Sequence, residues 1–209
     1  MSPRGLIEQL TVVAGRHVSR EAFGRLGTFV ALLKAAADQQ NLIARSTLDT
    51  LWERHILDSA QLVRYEPHPR ASWADIGSGA GLPGLVVALL VEGPVSLIEP
   101  RRLRAEFLQS TIERLNLVGR VTVEPAKVER IGGRFDAITA RAVASLAKTL
   151  EISAHLSTRK TVWVLPKGRG ARTELAEAQR SWQGSFRLEP SVTGDDSYVV
   201  VASGVGKKR

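Results

Sequence analysis

The chain of 209 residues contains no cysteine. That excludes disulfides, thiolate metal sites and a cysteine nucleophile together. Histidine is nearly as scarce: the four, His17, His55, His68 and His155, lie too far apart for a local zinc motif. No apolar run approaches the ~20 residues a membrane helix needs. The opening Met1-Ser2-Pro3-Arg4-Gly5 lacks the apolar core of a secretory signal. These absences lead to the expectation of a cytoplasmic protein with no membrane association; a monomer is expected, although the sequence itself leaves the oligomeric state open.

What is present is ordinary for a globular protein: 44% hydrophobic and 24% charged residues, at a length that suits one domain with a small appendage. The formal net charge of +8 is unevenly spread. Residues 71–100 carry three acids and no base, whereas residues 101–209 carry twenty bases against eleven acids. A basic C-terminal half suits a polyanion such as RNA, although solubility alone is an equal explanation.

The first seventy residues read as a helical extension. Leu6, Ile7, Leu10, Val13 and Ala14 share one helical face. Ser19 can cap a second helix with Phe23, Leu26, Val30, Leu33 and Ala37 inward, ending near Asn41. Thr47 can cap a third, with Leu48, Leu51, Trp52, His55, Ile56 and Leu62 on its stripe, broken by Tyr65-Glu66-Pro67-His68-Pro69. From Ser72 the pattern changes, and residues 71–206 read as the core. Strands are expected at Trp73–Ile76, Val95–Ile98, Val121–Val123, Phe135–Ala140 and Thr161–Leu165. Helices are expected over Leu82–Val91, over Arg101–Asn116 (burying Leu103, Phe107, Leu108, Ile112 and Leu115), over Leu146–Leu156 and over Arg172–Trp182. Two further strands, near Phe186–Leu188 and Tyr198–Val201, suggest a hairpin, and Lys207-Lys208-Arg209 should fray. Alternating strands and helices imply an α/β fold: a Rossmann-like, mostly parallel sheet with an antiparallel edge and helices on both faces.

Asp75-Ile-Gly77-Ser-Gly79-Ala-Gly81 follows the first of these strands and opens a helix. Glycines there allow tight turns and close backbone approach to a ligand at the carboxyl edge of the sheet. Glu99, ending the second strand, is placed to accept hydrogen bonds from ribose hydroxyls. Two cofactors compete. Gly79, Gly81 and Gly84 satisfy G-x-G-x-x-G, so a nicotinamide dinucleotide fits. Asp75, two residues before Gly77, tilts the choice to S-adenosylmethionine, whose cationic methionine part an acid can orient.

Three further segments make the pattern specific: Asn41-Leu42 followed by Trp52-Glu53-Arg54-His55-Ile56-Leu57-Asp58-Ser59; Gly81-Leu82-Pro83-Gly84; and Phe135-Asp136-Ala137-Ile138-Thr139-Ala140-Arg141-Ala142-Val143-Ala144-Ser145-Leu146. Together they resemble the small-subunit ribosomal RNA guanine-N7 methyltransferases, the RsmG or GidB family, over roughly residues 20 to 170. The resemblance implies a class I methyltransferase fold with an N-terminal helical extension. It also implies methyl transfer from S-adenosylmethionine to N7 of a guanine in 16S ribosomal RNA, free or within a ribosomal particle. By the same resemblance the cofactor contacts fall on Gly77, Leu82, Val128, Glu129 and Arg141, beside Asp75, Gly79, Gly81 and Glu99 from the fold argument. Two departures stand out. Ser197-Tyr198 occupies a place where the family often has a basic–aromatic pair, and Pro166 interrupts Leu165-Pro166-Lys167-Gly168, which resembles the family's L-K-G.

Guanine N7 offers an in-plane lone pair and holds no proton, so its methylation needs no general base. No residue is assigned as a catalytic acid or base; the polar residues are positioning groups. Arg141, at the carboxyl end of the fourth strand, is the first of these, and its alternative role is a salt bridge to Asp136 or another acid. His55 either shapes the site or is a satisfied buried histidine. Asn41 either faces substrate or ends its helix. Lys167 either meets a phosphate or is solvated. Arg101, Arg102 and Arg104 open a helix, where the dipole disfavours cations, which hints at a nearby anion. An oxidoreductase, a non-catalytic RNA-binding module and a methyltransferase for a small molecule or protein are the alternatives.

Overall fold

The computed structural model describes residues 2–37 and 50–208. Asn41, Thr47 and Leu48 lie outside the described residues. Helix α1 spans Pro3–Ala14: the Ser2 hydroxyl caps it by accepting from Gly5 N, Pro3 occupies its first turn, and Gly15, at φ +63°, ends it in the left-handed conformation. Helix α2, Arg20–Ala37, begins as expected, with the Ser19 hydroxyl accepting from Ala22 N at 3.1 Å. The third helical stretch is not a regular helix. It is wound as a wide π turn over Trp52–Leu57, an α turn α3 over Asp58–Ala60 and a 3-10 turn over Gln61–Tyr65.

The sheet follows: β1 Trp73–Ile76, β2 Val95–Ile98, β3 Val121–Glu124, β4 Ala137–Ala140, β5 Val162–Lys167, β6 Trp182–Pro190 and β7 Tyr198–Lys207. The strand order is β3-β2-β1-β4-β5-β7-β6. The first five strands are parallel, and β7 runs antiparallel to both β5 and β6. Between them come α4 (Gly84–Leu90), α5 (Arg102–Arg114), α6 (Leu146–Ser153) and α7 (Ala171–Ser181). Proline at position 166 is tolerated because the pairing of β5 with β4 ends at Thr139↔Val164, so one side of the strand is open there.

Alternation along the strands builds two apolar layers. Trp73, Leu97, Val164, Val199 and Val201 face α4, much of α5 and the N-terminal helices, which contribute Leu10, Leu26, Phe29, Leu33, Ile56 and Leu62 to the same cluster. Ala74, Ile76, Ile98, Ile138, Trp163, Leu165 and Val200 face Leu146 and Leu150 of α6 and Ala178 of α7. The N-terminal helices thus share one core with the sheet. Polar ties fasten them: Arg16 pairs with Glu66 at 2.6 Å and donates to the carbonyl oxygens of Val63 and Leu90.

Three sequence expectations are corrected. Leu103 is not buried but 55% exposed. It lies in the first turn of α5, and the sheet-facing stripe is Ala105, Leu108, Thr111 and Ile112. Lys207 and Lys208 do not fray: Lys207 pairs with Trp182 in the sheet, and Lys208 bonds the carbonyls of Ser181 and Gln179. The terminal hairpin is also far longer than read, with a register shift at Gly184 that lets a polar strand continue.

The turn between β6 and β7 is fastened to the N-terminal layer by Gln61, which is buried, and by Asp58, whose Oδ1 accepts from Thr193 Oγ1 at 3.0 Å. Gln61 Oε1 accepts from Val192 N at 3.0 Å, and its Nε2 donates to Ser191 Oγ and Asp58 Oδ1. Gln61→Leu keeps the bulk but strands these groups. It should lower stability by about 1–3 kcal/mol in urea unfolding and speed amide exchange at Val192. An unchanged midpoint would mean that the Gln61 bonds add nothing to the hold of Asp58 on Thr193.

Candidate active site

The loop from β1 to α4 lies at the carboxyl edge, where Gly77, Gly79 and Gly81 have φ of +67°, +55° and +87°. Only glycine adopts these freely. The three differ in what surrounds them. A Cβ on Gly77 would strike Val143 at 2.6 Å, and one on Gly81 would strike Leu85 at 2.5 Å. A Cβ on Gly79 would meet only Arg104 Nη1 at 3.6 Å and Gly77 O at 3.7 Å, ordinary contacts without a clash. Gly84 is a packing glycine, since a side chain there would collide with Asp75 and Leu97.

Two buried carboxylates hold this loop. Asp75 Oδ2 accepts from Gly84 N at 3.0 Å, beside the start of α4. Its Oδ1 is buried and has no hydrogen-bond partner among the described residues, as is true of Thr139 Oγ1 opposite it on β4. Burial pushes the Asp75 carboxyl up to about 7. Glu99 Oε2 accepts from Gly79 N and Oε1 from Arg101 N, both at 2.9 Å. Glu99 therefore supplies the acceptor that α5 lacks in its own first turn, which offsets the three arginines crowded there. Each Glu99 oxygen, expected to accept from ribose hydroxyls, already accepts one backbone bond and keeps capacity for a second.

Arg141, just beyond β4, reaches away from the sheet to the N-terminal layer. Its Nη1 lies 3.4 Å from Asp58 Oδ2 and its Nη2 lies 3.1 Å from His55 Nδ1. Arginine can only donate, so Nδ1 accepts and the imidazole is neutral. Burial first, and then the Arg141 guanidinium, pull His55 down to about 4. The acid beside Arg141 is Asp58 and not Asp136, whose carboxylate accepts from Ser72 N and Oγ. Ala142 follows at φ +55°, an uncommon state for a residue with a side chain. That turn lays Val143 against Gly77.

Lys167 is neither solvated nor free. It is 10% exposed, pairs with Glu174 Oε2 at 3.0 Å and donates to Ala144 O. Leu82 and Val128 are buried in the core, while Glu129 is exposed. A cleft of about 300 Å³ opens beside Arg141, with Asp58, Lys167, Glu174 and Tyr198 among its walls. The sequence reading did not single out Asp58, Gln61 or Glu174. Asp58 was within reach, three residues after His55 on the same helical turn; Glu174, from a distant helix, carried no signal.

A glycine loop at the carboxyl edge of β1, under an acid from β2, on a sheet of this strand order defines the class I methyltransferase fold. Solved structures agree. The chain is similar to an S-adenosylmethionine-dependent methyltransferase from Aquifex aeolicus (TM-score 0.58, 15% identity, 74% of this chain and 93% of that one). It is also similar to the tRNA methyltransferase TrmK of Bacillus subtilis (TM-score 0.55, 19% identity, 70% and 65%). The family model described as rRNA small subunit methyltransferase G (GidB) matches residues 23–194. Proteins named ribosomal RNA small subunit methyltransferase G are 45% identical in Zymomonas mobilis (92% of this chain, 90% of the relative) and in Sphingopyxis alaskensis (89% and 80%). The chain belongs to the rRNA small subunit methyltransferase G family.

The buried aspartate has a measurable signature. An acid whose folded pKa exceeds its unfolded value of 3.8 holds its proton more tightly when folded. Stability from this group is therefore full below about 4, falls as pH rises to about 7, and then levels off. Asp75→Asn lacks this loss. Urea titrations between about pH 5 and 8 should show the wild type losing ground to Asp75→Asn as pH rises; parallel profiles would contradict the assignment.

Proposed function

We propose that the protein transfers a methyl group from S-adenosylmethionine to N7 of a guanine in small-subunit ribosomal RNA. The observation that carries this is the left-handed glycine loop at the carboxyl edge of β1, with Gly79 N held by Glu99 and no group nearer than 3.6 Å to a Cβ on Gly79, in a chain of this family. Two features fit the cofactor. No backbone or core side chain crowds Gly79, so a ligand could approach its backbone closely, and Asp75 Oδ1 is a buried, unpartnered acceptor suited to a cationic methionine part. Gly77, Gly79, Gly81 and Leu82 would hold it through their backbone. Glu99 would take the ribose hydroxyls, and Val128 and Glu129 would flank the base.

S-adenosylmethionine supplies an electrophilic methyl: the N7 lone pair forms the C–N bond as the C–S bond breaks, and N7 releases no proton. The residues therefore align and exclude water. Arg141, held by Asp58 and His55, stands where the loop after β4 meets the cofactor loop. His55, neutral near pH 7, is a positioning group and not a base. Exposed Arg101, Arg102, Lys127, Arg130 and Arg169 follow the carboxyl ends of β2, β3 and β5, on the edge an RNA must approach. The reading places the protein in the cytoplasm with the ribosomal subunits, acting as a monomer, with residues 1–70 as an extension of the 71–206 core. Among the described residues no helix is long and apolar enough to cross a membrane.

The direct experiment compares 7-methylguanosine in small-subunit rRNA with and without the protein; identical content would refute the reading. Folded Gly79→Val should lose S-adenosylmethionine binding in calorimetry, and neither protein should bind NADH; NADH binding would favour the oxidoreductase. Single-turnover methyl transfer with cofactor and RNA bound should vary little across neutral pH, since no proton acceptor is needed. A bell-shaped profile that vanished in a His55 variant would make His55 catalytic.

A further inference from the structure

Outside the cofactor loop, a further carboxylate stands at the same edge of the sheet. Glu174, on the first turn of α7, uses a single carboxylate oxygen for the protein: Oε2 accepts from Leu146 N at 2.7 Å and pairs with Lys167 at 3.0 Å. These bonds fix its direction. Its Oε1 has no hydrogen-bond partner among the described residues, yet it is not sealed in, since the side chain is 31% exposed and lines the cleft beside Arg141. At about 300 Å³ the cleft is at the small end of ligand pockets. Tyr198 forms another wall, its ring held from the α7 side by the Arg172 guanidinium at 5.3 Å.

We propose that this cleft receives the target guanine, and that Glu174 Oε1 is the group that recognises it. The inference rests on the methylation of guanine N7 proposed above. Enzymes that react at a base take it out of the stack into a close-fitting pocket and read its Watson–Crick edge by hydrogen bonds. That edge in guanine presents two adjacent donors, N1–H and the exocyclic amine, which a fixed carboxylate oxygen complements. Guanine O6 is an acceptor, complementary to the cations Lys167 and Arg141 at the same cleft. The geometry of the fold gives the orientation. Glu174 and Lys167 stand beyond β5, whereas the glycine loop follows β1, two strands away in the order β1-β4-β5. Neighbouring strands are about 4.8 Å apart, which leaves room for one base between the two loops. A guanine with its Watson–Crick edge on Glu174 turns the opposite side, which includes N7, towards the cofactor loop. Adenine, whose exocyclic amine stands where guanine has O6 and whose N1 has no proton, would meet donors with a donor and an acceptor with an acceptor.

The test uses small subunits reconstituted with rRNA that carries either guanine or inosine at the methylated position. Inosine keeps N7, O6 and N1–H and lacks only the exocyclic amine. Wild-type protein should methylate the inosine subunit with kcat/KM at least about tenfold lower, the usual cost of a lost hydrogen bond to a charged group. Glu174→Gln can keep an oxygen on Leu146 N and Lys167 but turns an amide donor to the base. It should methylate guanine at least about tenfold more slowly and discriminate little between guanine and inosine, with cofactor affinity unchanged. A purely structural role for Glu174 would lower both rates and leave their ratio as in the wild type, overturning the proposal. So would a wild type indifferent to inosine. No methylation of guanine subunits by the wild type would instead refute the reading on which the proposal rests.

Discussion

The hydrogen bond from Gly79 N to Glu99 is the contact on which the site depends. It joins the turn after β1 to the end of β2, and the same carboxylate holds Arg101 N at the start of α5. One side chain therefore sets the loop, the helix and the spacing between them. It is 3% exposed, which concentrates its field on the two amides. Asp75 does the matching work at the other end of the loop, on Gly84 N. Left-handed glycines make the turn possible; the carboxylates choose which of its conformations persists.

The N-terminal layer has a second purpose beyond covering the sheet. Its wide turn over Trp52–Leu57 brings His55 and Asp58 to face Arg141, and Asp58 and Gln61 together reach the β6–β7 turn. π-wound turns are uncommon and recur at functional sites. Here the winding sets which side chains of the stretch meet the end of β4. The loop after β4, the N-terminal layer and the terminal hairpin thus converge on one cleft, although they come from three separate parts of the chain.

Local chemistry made the parallel strands and the glycine loop legible in the sequence, because short apolar runs alternate there with helical patterns and Asp75, Gly77, Gly79 and Gly81 stand in fixed order. Arg141 and His55 were legible through family motifs, although not as partners of each other. Glu174 was not legible: its significance comes from the approach of α7 to Lys167, a tertiary fact with no sequence period. The hairpin was underestimated because β6 is mostly polar and exposed, so alternation was weak. Leu103 was misread because hydrophobicity was counted without fixing which turn of α5 faces the sheet.

The central claim is that S-adenosylmethionine lies across the glycine loop from Glu99 towards Arg141. A crystal structure of the protein with S-adenosylhomocysteine tests it directly. The account predicts the ligand over Gly79, its ribose hydroxyls on Glu99 and its amino acid end on the Asp75–Arg141 side. A ligand bound elsewhere, or lying over the loop with Glu99 touching only Gly79 and Arg101, would contradict it.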